Sequence, residues 1–130
     1  MPTDQGLINE CSGHVVDAAM RVHSRLGPGL LESVYENCLA YELRKRGFDV
    51  VQQLEVPVRY DDIVINPGYR MDLLVNDLVV VEIKSVEKLN PVHEATLLTY
   101  LRMSRHRVGL LLNFHELRLR DGLKRIVDGF

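Results

Sequence analysis

Glu82 and Lys84 interrupt the end of an otherwise apolar run, Leu78–Ile83, whose remaining residues are Leu, three Val and Ile. A strand that apolar is covered on both faces, so ionisable groups at its end stand out. With a side-chain period of two, Glu82 and Lys84 lie on one face, adjacent along the strand. Asp72 keeps similar company, among Met71, Leu73, Leu74 and Val75. A carboxylate withdrawn from water is costly unless it is paired or binds a cation. Asn76-Asp77 reads as the turn of a hairpin that brings Asp72, Glu82 and Lys84 together. Two hard oxygen ligands beside an ammonium suit Mg²⁺, which keeps several waters and needs only one or two carboxylates. The competing reading is an ion pair in which Lys84 simply neutralises Glu82.

The register of that hairpin decides whether the acids meet. A strict two-residue turn sets Asp72 opposite Val81, which sends Asp72 and Glu82 to opposite faces. A shared metal needs a three-residue loop or a β-bulge, and a bulge is expected between Asp72 and Glu82.

The elements that must position these residues are legible in the periodicity. Ile8, Cys11, Val15, Ala19, Val22 and Leu26 form the stripe of an amphipathic helix, ended by Gly27-Pro28-Gly29. A second helix is expected from about Leu31 to Arg46, stopped by Gly47. Phe48–Gln53 and Val56–Tyr60 read as β-type runs. Asp61-Asp62 and Asn66-Pro67-Gly68 read as turns around a short run, Ile63–Ile65. Met71–Val75 and Leu78–Ile83 are the hairpin strands. Asn90-Pro91 is an N-cap and N1 pair, opening a helix that carries Leu97, Leu98 and Leu101 and ends near Arg105. Val108–Phe114 reads as a buried strand and Lys124–Val127 as a final edge strand. The order gives a single α/β domain over residues 1–130, a mixed sheet flanked by helices.

The block Gly29-Leu30-Leu31-Glu32-Ser33-Val34-Tyr35 resembles the Gly-x-x-Glu-x-x-Tyr signature of the small bacterial and archaeal GxxExxY proteins. These are grouped with the PD-(D/E)XK nuclease superfamily, whose core motif Asp72…Glu82-Ile83-Lys84 resembles. The similarity runs from about Gly27 to Phe114. It implies a restriction-endonuclease-like fold and a Mg²⁺-dependent nuclease, with Mn²⁺ as a substitute. By resemblance, Asp72 and Glu82 are the metal-binding carboxylates, helped by the backbone carbonyl of Ile83. Lys84 orients or deprotonates the attacking water, and Glu32 completes the metal shell directly or through water. Tyr35, one turn on and on a face shared with Glu32, reads equally as a core residue whose hydroxyl fixes that glutamate. Tyr100 matches the Tyr of a Gln-x-x-x-Tyr pattern on the helix after the catalytic strand, but Thr96 stands where that pattern has Gln. A shorter side chain there is the mark of the alternative, a weak or inactive nucleic-acid-binding or regulatory module on the same fold. His93, at the start of that helix, reads as a capping or surface residue. The partners implied are nucleic acid, DNA ahead of RNA, and a second copy in a homodimer.

Composition narrows the remaining classes. At 46% hydrophobic residues the chain can build one real core, which excludes a disordered or disulfide-dependent miniprotein. Net charge is −2, so it is no polybasic binder, and without Trp it carries no large base-stacking surface. Cys11 and Cys38, with no CxxC, read as two buried thiols in a reducing compartment. No apolar run is long enough for a bilayer, which makes a soluble, cytoplasmic protein the expectation. Charge is uneven, however. Residues 101–130 hold seven Lys or Arg against three acids, net +4, whereas the first 100 hold nine against fifteen, net −6. The basic segment, with Arg102 in it and Arg70 beside the site, is read as a phosphate-contacting surface.

Overall fold

The structure, a computed structural model, describes residues 4–129. It places α1 (Asp4–Leu26) and α2 (Glu32–Lys45) before a five-stranded sheet. The strands are β1 (Val50–Tyr60), β2 (Ile63–Val75), β3 (Val79–Lys84), β4 (Val108–Asn113) and β5 (Leu123–Val127), side by side in chain order. α3 (Pro91–Ser104) carries the chain from β3 to β4, which are parallel; every other pair is antiparallel. No helix among the described residues is long and apolar enough to cross a membrane.

Two apolar layers sandwich the sheet. Ile8, Val15, Ala19, Tyr35, Leu39 and Leu43 of the first two helices pack on Leu73, Val75, Val79, Val81 and Leu110. Leu97 and Leu101 of α3 pack on Met71, Leu74, Val80 and Leu111 of the other face. β3 and β4 are buried almost throughout because both faces are covered, which is why their sequences lack alternation. Between α1 and α2 the chain turns at Gly27 (φ +72°) and Gly29 (φ +101°), left-handed positions that favour glycine. The buried Tyr35 hydroxyl donates to Gly27 O at 2.6 Å and accepts from Leu30 N–H at 3.0 Å. It therefore braces this turn, not Glu32, and its ring stacks on Phe114.

The outer hairpin departs from expectation. β1 is one continuous strand, and β2 runs through Asn66-Pro67-Gly68 where a turn was expected. The surplus residues are absorbed as an irregularity: Val56 pairs with Tyr69, but Val58 pairs with Ile65. Gly68 lies so close to its neighbour that a Cβ would come within 2.7 Å of the Val58 nitrogen. Only the Asp61-Asp62 turn then remains at the tip.

Both hairpin strands also turn over once. Val50 packs in the layer under α1 and α2, and Gln52 bonds to α2; Leu54 and Val56 pack on the α3 layer. In β2, Leu73 and Val75 face the first layer, whereas Tyr69 and Met71 face the second. The exchange centres on Gln53 and Asp72, which fall opposite each other between the pairs Gln52↔Leu73 and Leu54↔Met71. Gln53 is in the left-handed region, φ +51°. Two cysteines were expected to be buried; Cys11 is, but Cys38 is half-buried beside a surface groove.

Candidate active site

β2 and β3 pair from Val75↔Val79 to Leu73↔Val81. The connection Asn76-Asp77-Leu78 is thus three residues long, the first two in left-handed conformations that Asn and Asp tolerate. This supplies the one-residue shift that a shared site requires and sets Asp72 across from Glu82. Beyond Leu73↔Val81 the ladder ends and the strands fork. The acids replace the missing backbone bonds reciprocally: Asp72 N–H donates to Glu82 Oε2 at 2.9 Å, and Ile83 N–H donates to Asp72 Oδ2 at 2.8 Å.

Glu82 is buried, 8% exposed, and Asp72 is half-buried. Burial pushes the Glu82 carboxyl up to about 8, and the negative charge of Asp72 pushes the same way. The Asp72 N–H bond and the charge of Lys84 only partly oppose this. No ion pair joins Lys84 to Glu82 among the described residues, so the simple neutralised pair is not what the chain builds.

Glu82 and Lys84 open instead onto a cavity of about 80 Å³, completed by His93, Thr96, Leu97, Tyr100 and Leu111. Tyr100 stacks on Tyr69, centroids 4.4 Å apart. Its hydroxyl pKa is raised, first by burial and then by the charges of Glu82 and Asp72, which puts it within their field. His93 caps its own helix, its Nδ1 accepting from Asn90 N–H at 3.1 Å while Asn90 Oδ1 accepts from Val92 N–H at 2.9 Å. Thr96 lines the cavity without filling it.

Glu32 is exposed and caps the far end of the motif: its Oε2 accepts from Ser85 N–H at 2.9 Å, one residue past Lys84. The next stretch is held by buried Asn113, whose amide pairs with Val86 N–H and carbonyl. Arg70 is paired with Glu55 at 3.1 Å, outside the cavity. Arg102 is exposed and approaches Asp128 only at 3.9 Å. It lines a separate groove of about 360 Å³ between the outer hairpin and the end of α3, with Pro57, Arg59, Val64, Met103 and Arg105. The basic segment does not form one surface, because Arg125 turns to the α1 side and bonds Asn9 at 2.8 Å.

The sequence reading passed over two residues here. Glu36, buried on α2, accepts from the side-chain amides of Gln52 and Gln53, and Gln53 also donates to Asp72 Oδ1 at 3.2 Å. The signals were an acid placed between Tyr35 and Leu39 on a buried helix face, and two adjacent Gln breaking the alternation of β1.

A divalent cation fits the donor set. Two carboxylates meet across the fork with no neutralising ion pair among the described residues, and the adjoining cavity has room for several waters. No group of three or more His, Cys, Asp or Glu poised to hold a metal occurs among the described residues. Comparison with curated proteins finds no match, nor does comparison with solved structures. A family model described as the PD-(D/E)XK nuclease superfamily matches residues 9–126, nearly the whole chain. By that match, and with a mixed sheet whose strands fork at a pair of acids, the chain belongs to the PD-(D/E)XK nuclease superfamily.

Proposed function

We propose that this protein is a Mg²⁺-dependent nuclease that hydrolyses phosphodiester bonds in nucleic acid, with DNA the first substrate to try and Mn²⁺ a working substitute. The observation that carries the reading is the acid pair, buried Glu82 and half-buried Asp72, crossed over the β2–β3 fork beside a cavity that Lys84 shares. The carboxylates of Asp72 and Glu82, with the Ile83 carbonyl, are the residues that would hold the ion. When bound, the ion supplies neutralisation of a nonbridging phosphate oxygen and a more acidic water.

The chain's own groups do the rest. Lys84 faces the reacting phosphate either as an ammonium that stabilises developing charge or as a base on the attacking water. Glu32 holds the backbone just after Lys84 and so keeps that side chain aimed. Tyr100 bounds the cavity on the substrate side. The groove of Arg59, Arg102 and Arg105 is suited to the phosphates flanking the scissile bond, while Arg70 is held back by Glu55. Thr96 favours one second reading, a binding module with weak catalysis, because no amide at that position reaches across the cavity.

The test is cleavage of labelled single-stranded, duplex and branched DNA and RNA with Mg²⁺, Mn²⁺ or EDTA, beside a Glu82→Gln variant of equal shape. Metal-dependent cleavage that the variant loses, by at least about 100-fold, is expected. Salt-sensitive binding without cleavage would select the second reading; cleavage retained by Glu82→Gln would overturn the assignment of the site.

A further inference from the structure

Gln53 is out of place by every local rule. It stands within β1, yet its backbone is left-handed at φ +51°, a conformation strained for any residue with a side chain. Neither a loop nor a turn demands it, since the pairing count with β2 is the same before and after it, Gln52↔Leu73 and Leu54↔Met71. Such strain persists only where the surroundings impose it, and it concentrates at functional sites.

The side chain shows what the strain delivers. One amide nitrogen, Gln53 Nε2, donates both to Glu36 Oε1 and to Asp72 Oδ1. Glu36 is itself buried, 8% exposed, and its other oxygen is held by Gln52 Nε2 at 2.9 Å. A buried carboxylate with two amide donors and no cation is an expensive anchor. It fixes the Gln53 amide in place, so that the second hydrogen points at Asp72. Asp72 Oδ2 is already fixed by Ile83 N–H at 2.8 Å. Hydrogen bonds to both oxygens thus restrain rotation of the Asp72 carboxylate.

We propose that Gln53 is a positioning residue for Asp72, anchored by the buried Glu36 and delivered by the turnover of β1 at that point. The role rests on the nuclease reading above. Gln53 acts through Asp72 and touches neither substrate nor the reacting atoms. Residues that orient a ligand typically alter metal affinity roughly 10–100-fold when removed.

The experiment measures Mn²⁺ affinity by calorimetry on the metal-free whole chain, well below the melting temperature, for wild type, Gln53→Gly and Gln53→Asn. Glycine accepts the left-handed backbone without strain, and asparagine tolerates it but is one methylene too short to bridge the two acids. Circular dichroism establishes that each variant is folded at the assay temperature. Weakening of the Mn²⁺ dissociation constant by about tenfold or more in both folded variants, with KM for nucleic acid unchanged, is the expected result. Folded variants that bind Mn²⁺ as wild type does would overturn the positioning role alone, whatever their melting temperatures. A wild-type chain that neither binds Mn²⁺ nor cleaves would overturn the nuclease reading, and the positioning role would fall with it.

Discussion

Glu82 carries the clearest consequence at the scale of one residue. Its carboxyl titrates at about 8 in the folded, cation-free protein, against 4.5 as the ordinary value. Between those values the folded chain keeps a proton that the unfolded chain has lost. This group's contribution to stability is therefore fully present below about 4.5 and is lost as pH rises through about 8. Glu82→Gln cannot ionise, so the drop in melting temperature from about pH 5 to about pH 8 in EDTA is expected to be smaller in the variant. Equal slopes would show Glu82 ionised throughout. Asp72, Glu82 and Lys84 were legible in the sequence because a charge in an apolar run needs a reason. Gln53 and Glu36 were not, because their meaning lies in a backbone conformation and in a contact across 17 positions of chain. Tyr35 was half legible: its burial followed from helix period, but its hydroxyl partner was set by a turn whose shape no period encodes.

Among the elements, those with one strong period or an unbroken apolar run were read nearly to their ends: α1, α2, α3, β3 and β4. The outer hairpin was not, for a physical reason. A turn signal such as Asn66-Pro67-Gly68 specifies a local bend, and the pairing of β1 with β2 on either side converts that bend into an irregularity within a strand. Gly68 is where this conversion is tightest. Gly68→Ala would put a Cβ 2.7 Å from backbone nitrogen of Val58, which cannot swing aside. The expected cost is about 1–3 kcal/mol, read in urea melts, with faster amide exchange confined to residues 56–69. A neutral Gly68→Ala would mean that the two strands do not approach so closely there. The three-residue β2–β3 connection does the work expected of a β-bulge between Asp72 and Glu82: register demanded one extra residue, and the chain places it in the turn instead.

The whole molecule explains why a net charge of −2 does not bar a polyanionic substrate. Arg59 from the hairpin joins Arg102 and Arg105 from the end of α3 around one groove. Counting charges along the sequence found the basic C-terminal segment, but folding divides it: Arg125 goes to the α1 side and Arg59 arrives from far upstream. Replacing Arg59 and Arg105 together by Ala is expected to weaken nucleic-acid binding and to lower the dependence of log affinity on log salt by about two, one per phosphate contact. Fluorescence anisotropy across a salt series measures this directly. An unchanged slope would take the groove out of the substrate path.

The reciprocal bonds across the fork have a consequence for how such a chain would age. Asp72 and Glu82 are stitches as well as the proposed ligands, since each replaces a rung the two strands lack. A lineage that lost all activity at this site would still give up both bonds at the fork by discarding them. Lys84 is different: its side chain makes no hydrogen bond or ion pair among the described residues, and its tie to the fold is the charge that partly offsets the rise at Glu82. In descendants of this fold, a kept acid pair has two reasons to persist, the sheet and the site, so a kept lysine is the sharper witness to continued use.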